Sequence, residues 1–395
     1  MSLNRFEGLS LSYVARFWEN PKIFIITCAI LYIVRAFVAF YSGYHGTDII
    51  EHLIASRGIL QGQLLYADLR FDYTPLHAYL QAFFLIFLGD HAFAAKMPAL
   101  LGDLALAGAL YVVGQLKDIR LGRQLTLLYL CFPLSVITSD ILGLFDSVAL
   151  FLMILGIYFI LKQEDGISAF SFGLGGMYKF IPFLALIPIF IGYLLKGDAK
   201  KMVTYILIIG ITTTITVVPY LFLSSDAALH YILFNSTKFP DSFSIFRIIP
   251  VYSTSWPFIL QFALLAAIYG FALTWGKINI RSFEGITLFI ALFMLLNKNF
   301  YPQYFLWIFP FFAYWFLAHQ MPLRIAGIFL IDSVLLSLYW VDYGNLVNSS
   351  IILPLIFHLI NWGIIGYILC YERNQSVSLS RKPLTPSNYG DSNKY

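Results

Sequence analysis

Charge is what this sequence has least of. Only 12% of its 395 residues are Asp, Glu, Lys or Arg, about half the roughly 25% of a soluble domain. So few charges cannot solvate the two or three soluble domains that this length would otherwise suggest. The scarcity excludes a soluble enzyme, a disordered chain and a nucleic-acid binder. Cysteine is also sparse: Cys28, Cys131 and Cys370 lie far apart inside apolar runs, without disulfide or metal spacing, and they read as buried thiols. HExxH, paired CxxC, P-loop and GxSxG motifs are missing from suitable contexts. No internal repeat is visible, which weakens a transporter built from duplicated halves. A signal-peptide pattern is lacking too: Arg5, Glu7, Arg16 and Glu19 form an amphipathic lead-in to a first span that is expected to be retained.

What is present is apolar. Ala, Val, Ile, Leu, Met, Phe, Trp, Tyr and Cys make up 59% of the chain, and mean hydropathy is +0.78. This composition predicts an all-α, polytopic membrane protein. Spanning takes about 20 apolar residues, fewer where neighbouring helices shield a short one. Runs near 23–41, 94–116, 121–138, 147–161, 167–178, 181–196, 202–223, 257–276, 283–297, 303–318, 324–341 and 351–371 predict about twelve spans. The segment 75–89 is apolar but short and begins with Pro75.

Charge placement decides how 75–89 is read. If it re-enters without crossing and the N-terminus is cytoplasmic, cytoplasmic segments hold 17 of the 25 Lys and Arg, as the positive-inside rule asks. Crossing with the same N-terminus reverses the split. Crossing with an outer N-terminus restores it, and there the basic lead-in selects the first arrangement. Residues 1–371 then form one transmembrane domain with long outer loops at 42–93 and 224–256. The polar, Ser/Pro-rich tail 372–395 is predicted to be disordered and cytoplasmic. The protein is expected in the plasma membrane of a prokaryote, or in the endoplasmic reticulum membrane of a eukaryote.

Several polar residues interrupt this pattern. Asp48, Glu51, His52 and Ala55 recur at helical spacing after a capping Thr47 or Asp48, and they read either as a general-base face or as a cap with a solvated face. Asp140 and Asp146 lie at the mouth between two spans, where an ionisable group is a functional candidate; Asp146 also suits an N-cap. Lys179, at the break Met177-Tyr178-Lys179-Phe180-Ile181-Pro182, either snorkels or binds a phosphate. The turn Asn297 to Tyr304, with Lys298, Tyr301 and Gln303, suits sugar or phosphate contacts, or an interfacial aromatic belt. Asp103, mid-span, reads as glue between helices. The second outer loop adds Lys238, Asp241, Arg247 and a sequon at Asn235.

Six blocks, together with Asp103 in its span, carry a resemblance. They are Thr47-Asp48-Ile49, Ala55-Ser56-Arg57 with Gly62 and Tyr66, Tyr73-Thr74-Pro75-Leu76, Phe145-Asp146-Ser147, Tyr178-Lys179-Phe180-Ile181-Pro182, and Asn297-Lys298 with Gln303-Tyr304-Phe305-Leu306-Trp307. In that order they resemble GPI mannosyltransferase I, whose first luminal loop carries T-D-I-D, an A-A-R-like helix and Y-T-P-L. One acid departs from the family's D-x-D: Ile50 stands at the second position and Glu51 follows it. This is nearer to prokaryotic polyprenol-phosphate-mannose-dependent transferases.

The resemblance implies a GT-C superfamily helical bundle with juxtamembrane helices in its first outer loop. It implies inverting transfer of a hexose, mannose first, from a polyprenyl- or dolichyl-phosphate donor to a lipid-linked or surface glycan acceptor outside the cytoplasm. It implies Asp48 as general base with Glu51 beside it, and His52, Arg57, Tyr73, Asp140, Asp146, Lys179, Arg247, Lys298, Tyr301 and Gln303 as substrate contacts. A divalent metal is compatible but not required, and a small membrane partner subunit is compatible as well. The rival reading is a carrier or flippase for a lipid-linked sugar.

Overall fold

The computed structural model describes residues 20–224, 243–248, 256–341 and 352–381. Within them the regular structure is helical, apart from an isolated bridge between Leu65 and Leu69. The order is α1 (Pro21–Tyr41), α2 (Thr47–Leu60), α3 (Pro75–Leu88), α4 (Ala92–Gln115), α5 (Ile119–Leu130), α6 (Asp146–Leu161) and α7 (Asp165–Tyr178). There follow α8 (Ile181–Leu194), α9 (Ala199–Leu223), α10 (Trp256–Gly276), α11 (Phe283–Leu295), α12 (Phe305–Ala318), α13 (Leu323–Val341) and α14 (Ile352–Arg381). Each apolar run of the sequence coincides with one of these helices or, at 121–138, with a broken one.

Among the described residues five helices are long and apolar enough to cross a membrane, or six when a bent pair counts as one span. The other apolar helices are shorter and depend on shielding by their neighbours. The bent pair is α5 with Pro133–Ile141, which meet at 50°. Pro133 breaks the ladder, having no N–H to give, and a π-helical segment Val136–Ile141 follows. The expected continuous span 121–138 is therefore a broken one.

Inside the bundle, α11 and α12 bury nearly every side chain. α1 and α9 bury almost nothing, so their apolar surfaces face the surroundings. The cysteines are likewise not packed thiols: Cys131 and Cys370 are exposed and Cys28 is half-buried. These are the surfaces of an integral membrane protein. The last helix continues to Arg381, into the segment expected to be disordered. Between Glu372 and Arg381 there is neither Pro nor Gly to stop a helix.

Segment 75–89 forms the 14-residue α3, about 21 Å at 1.5 Å per residue and too short for a bilayer core of roughly 30 Å. It lies between α2 and α4, on which it packs. Polar rungs fix the three together. The Ser56 hydroxyl donates to Gln81 Oε1 at 2.7 Å, and the Gln81 amide donates to the Ala95 carbonyl at 3.0 Å. Thr74 docks the start of α3 on the end of α7, donating to the Tyr178 carbonyl at 3.1 Å.

The bundle has two distinguishable ends. At one, α2 and α3 pack over the breaks before α6 and after α7. At the other, short turns carry contacts such as Lys117 to the Ala318 carbonyl at 3.0 Å and Lys201 to Asp165 at 2.7 Å.

Candidate active site

Asp146 opens α6, but its side chain does not cap that helix. It is buried and turned inward, where Oδ1 accepts the Lys179 ammonium at 2.6 Å and the Trp307 indole N–H at 2.8 Å. Lys179 stands at the C-cap of α7 with extended backbone; Pro182, which has no N–H to continue the α7 ladder, lies in the first turn of the next helix. Its ammonium lies 5.0 Å from the Tyr304 ring centroid and 5.5 Å from that of Phe145, a cation held by aromatic faces as well as by charge. With 14% of its side chain accessible against 2% for Asp146, Lys179 is the member of the pair that a ligand can reach. It is therefore an ion-paired lysine, not a snorkelling one.

The outer loop forms the cover. The N-cap of α2 is Gly46, at φ 86°, so neither Thr47 nor Asp48 caps it. Asp48 falls in the first turn, where the helix terminus favours a carboxylate. The expected common face divides: Asp48 is half-buried, Glu51 exposed, and His52 and Ala55 buried. His52 turns toward α3 and meets the rings of His77 at 4.7 Å, Tyr73 at 4.9 Å and Phe145 at 5.1 Å. Burial first, and then the Lys179 charge, holds the His52 imidazole down at about 3. The ring is neutral and is no base near neutral pH. Burial pushes the Tyr73 phenol well above its ordinary range, helped by the charges of Asp48, Asp146 and Glu51. Of these charged groups, Asp146 pairs with Lys179, whose ammonium lies over the Phe145 ring.

The other expected contacts are distributed differently. Arg57 makes an exposed two-point ion pair with Asp90, at 2.8 Å for both bonds, and ties α2 to the turn after α3. Asp140 is taken up by Arg35, whose Nε donates to Oδ2 at 2.8 Å and whose second nitrogen donates to Oδ1 at 3.0 Å. The same guanidinium bonds Asp103, which also accepts the Tyr129 hydroxyl. Asp103 is interhelical glue, and Asp140 belongs to the same buried network rather than to the Lys179 cluster. In the 297–304 turn Lys298 is buried and burial lowers its affinity for a proton. Gln303 is buried with Oε1 unbonded, and Tyr301 packs on Tyr304 at 5.6 Å. Arg247 lies in the short helix Ile245–Ile248; Asn235, Lys238 and Asp241 fall outside the described residues.

Several residues of the site carried no expectation. His77 stacks on Phe145 at 3.8 Å and shares a 2.9 Å hydrogen bond with the Tyr178 hydroxyl. Trp307 completes the Asp146 shell. Both lie in apolar runs; His77 had only its own polar atoms as a signal, and Trp307 stood in the sixth block without an assigned role. Arg35 and Lys96 had a readable one, a cation inside a span; Lys96 is buried and donates to the Ser42 hydroxyl at 2.6 Å. Among the described residues no three His, Cys, Asp or Glu side chains converge as metal ligands do.

No protein-family profile and no curated protein matches the chain by sequence. Solved structures do match. The chain is similar to the crystal structure of ArnT from Cupriavidus metallidurans bound to undecaprenyl phosphate, with a TM-score of 0.56 at 13% identity over 91% of this chain and 79% of that one. The apo form of ArnT gives 0.55 at 14% identity, over 88% and 77%. At such identity the likeness establishes the fold, an all-α polytopic GT-C-type bundle.

Proposed function

We propose that this protein is a polyprenyl-phosphate-dependent glycosyltransferase of the GT-C superfamily. It moves a hexose, mannose by the loop resemblance, onto a lipid-linked or surface glycan acceptor. The observation that carries this reading is the reachable, paired Lys179 between the Tyr304 and Phe145 rings; the outer-loop helix brings Asp48 and Glu51, whose charges act on Tyr73. The fold is shared with a protein crystallised with undecaprenyl phosphate, which supports a lipid phosphate as the anion that Lys179 meets.

In this mechanism the donor phosphate draws the Lys179 ammonium from Asp146, and Trp307 keeps Asp146 in place. Asp48 takes the proton of the acceptor hydroxyl. The oxygen bonds to the anomeric carbon on the face opposite the phosphate, the carbon–phosphate-oxygen bond breaks, and the configuration inverts. The departing phosphate needs a cation more than a proton, and Lys179 supplies it, with Lys298 the second candidate. Glu51 orients the acceptor, and Gln303, Tyr301 and Arg247 are the further polar contacts of this reading. No step requires a metal. The basic, short-turn end of the bundle is cytoplasmic together with both termini, so the site faces away from soluble nucleotide sugars.

The test is product formation by the purified protein in detergent, supplied with polyprenyl-phosphate mannose and a lipid and glycan extract as acceptor. Release of polyprenyl phosphate with a mannosylated product is expected. Donor binding without product under all acceptor conditions would favour a carrier.

A further inference from the structure

We infer that His52 and His77 form a hydroxyl-reading pair that makes this site select an uncharged sugar, with the Tyr73 ring as its cover. The inference rests on the transferase reading above and names the sugar class for the same site.

Two imidazoles from different helices meet here, nearly perpendicular, inside a wall of Phe71, Tyr73, Phe145 and Tyr178. Each is 1% exposed. Nevertheless three of their nitrogens, His52 Nδ1 and Nε2 and His77 Nε2, have no hydrogen-bond partner. Buried polar atoms left unbonded are costly and uncommon, and two phenylalanines would fill the same space without that cost. A metal does not account for them, since no third ligand converges among the described residues.

Sugar hydroxyls do account for them. A neutral imidazole presents one N–H donor and one acceptor, the same complement as a hydroxyl group. His77 has spent one nitrogen on the Tyr178 hydroxyl, so Nε2 offers the remaining donor or acceptor. Burial, His52 and Lys179 together hold His77 well below its ordinary range, and it stays neutral like its neighbour. A charged sugar substituent would have to be desolvated against two neutral rings, and a cationic one would also approach the Lys179 ammonium. Tyr73 is half-buried where both histidines are buried, and its ring stands edge-on between His52 and Phe145 at 4.9 and 5.2 Å. In the proposed complex this ring swings aside to admit the sugar hydroxyls to His52.

The test uses the purified full-length protein and three probes: farnesyl phosphate, farnesyl-phosphate mannose and the mannosamine analogue of the latter. The wild type should bind the mannose conjugate more tightly than farnesyl phosphate and at least about tenfold more tightly than the amino analogue. His52→Phe and His77→Phe should each weaken the mannose conjugate by about three- to tenfold and leave farnesyl phosphate unchanged. Asn at either position should recover part of the loss, because a carboxamide also donates and accepts. Should His52→Phe fail to fold, His77→Phe and His52→Asn make the same comparison. Equal losses for farnesyl phosphate and the conjugate, unchanged binding in both variants, or preference for the amino sugar would overturn the pair's role while leaving the lipid-phosphate reading intact. If folded wild-type protein binds none of the probes, the transferase reading falls, and the pair's role with it.

Discussion

Lys179 reaches Asp146 between two helix breaks, its ammonium 2.6 Å from the carboxylate oxygen that also accepts the Trp307 N–H at 2.8 Å. With both donors on one oxygen, Asp146 fixes the position of a cation that the surrounding aromatic rings leave partly accessible. A lipid phosphate that takes Lys179 leaves Trp307 to hold the acid.

Lys179→Ala should therefore weaken polyprenyl-phosphate binding by about ten- to a hundredfold, the range of a charge-assisted hydrogen bond. Lys179→Arg should recover only part, since a planar fork does not reproduce a compact ammonium against Asp146 and two rings. Equilibrium binding in detergent checks both. Normal binding by Lys179→Ala together with loss in Lys298→Ala would move the phosphate to the 298–303 turn.

Asp48→Asn should fold normally and lower turnover by about a hundredfold or more, as loss of a general base does. Donor affinity should stay level or tighten, because a negative charge near the phosphate is gone. Wild-type turnover in this variant would remove Asp48 from the mechanism.

Acidification tests His52. Its affinity for a proton is depressed to about 3 in the folded protein, against about 6.5 unfolded. Between those values the unfolded chain binds more protons, so stability falls as pH drops below about 6.5 and is unaffected above it. The thermal midpoint in detergent should fall from pH 6.5 to 4, and less steeply in His52→Gln. Parallel curves for the two proteins would mean that His52 is solvated or paired in the folded state.

Two arginines should differ sharply. Arg35→Ala strands Asp103 and Asp140 among buried helices and should cost about 3–5 kcal/mol. Arg57→Ala breaks a pair whose side chains are 43% and 52% accessible and should cost under about 1 kcal/mol. Chemical denaturation of the two variants in the same detergent gives the comparison, and similar losses would contradict the placement of Arg35.

Orientation can be read by labelling. In a background with its three cysteines replaced, Gln63→Cys in the outer loop should react with an impermeant thiol reagent added outside, and Lys162→Cys at the opposite end should not. The reverse pattern would invert the topology.

The sequence by itself determined the class, because 12% charge and long apolar runs permit no soluble fold. It also determined where the helices lie, since each apolar run is long enough to form one and the breaks are marked by Pro and by polar clusters. It placed Lys179 at such a break and Asp48 on the outer loop. Tertiary structure decided who meets whom. Asp140 and Asp146 lie in one short stretch of chain and look equivalent there, yet a distant arginine takes the first and Lys179 takes the second. Arg57 left the site for Asp90, whereas His77 and Trp307 entered it from runs that read as plain apolar helix. Charge pairing inside a bundle depends on helix rotation and crossing, which arise from contacts between segments far apart in sequence. A linear pattern fixes which side chains share a face; only packing decides what that face meets.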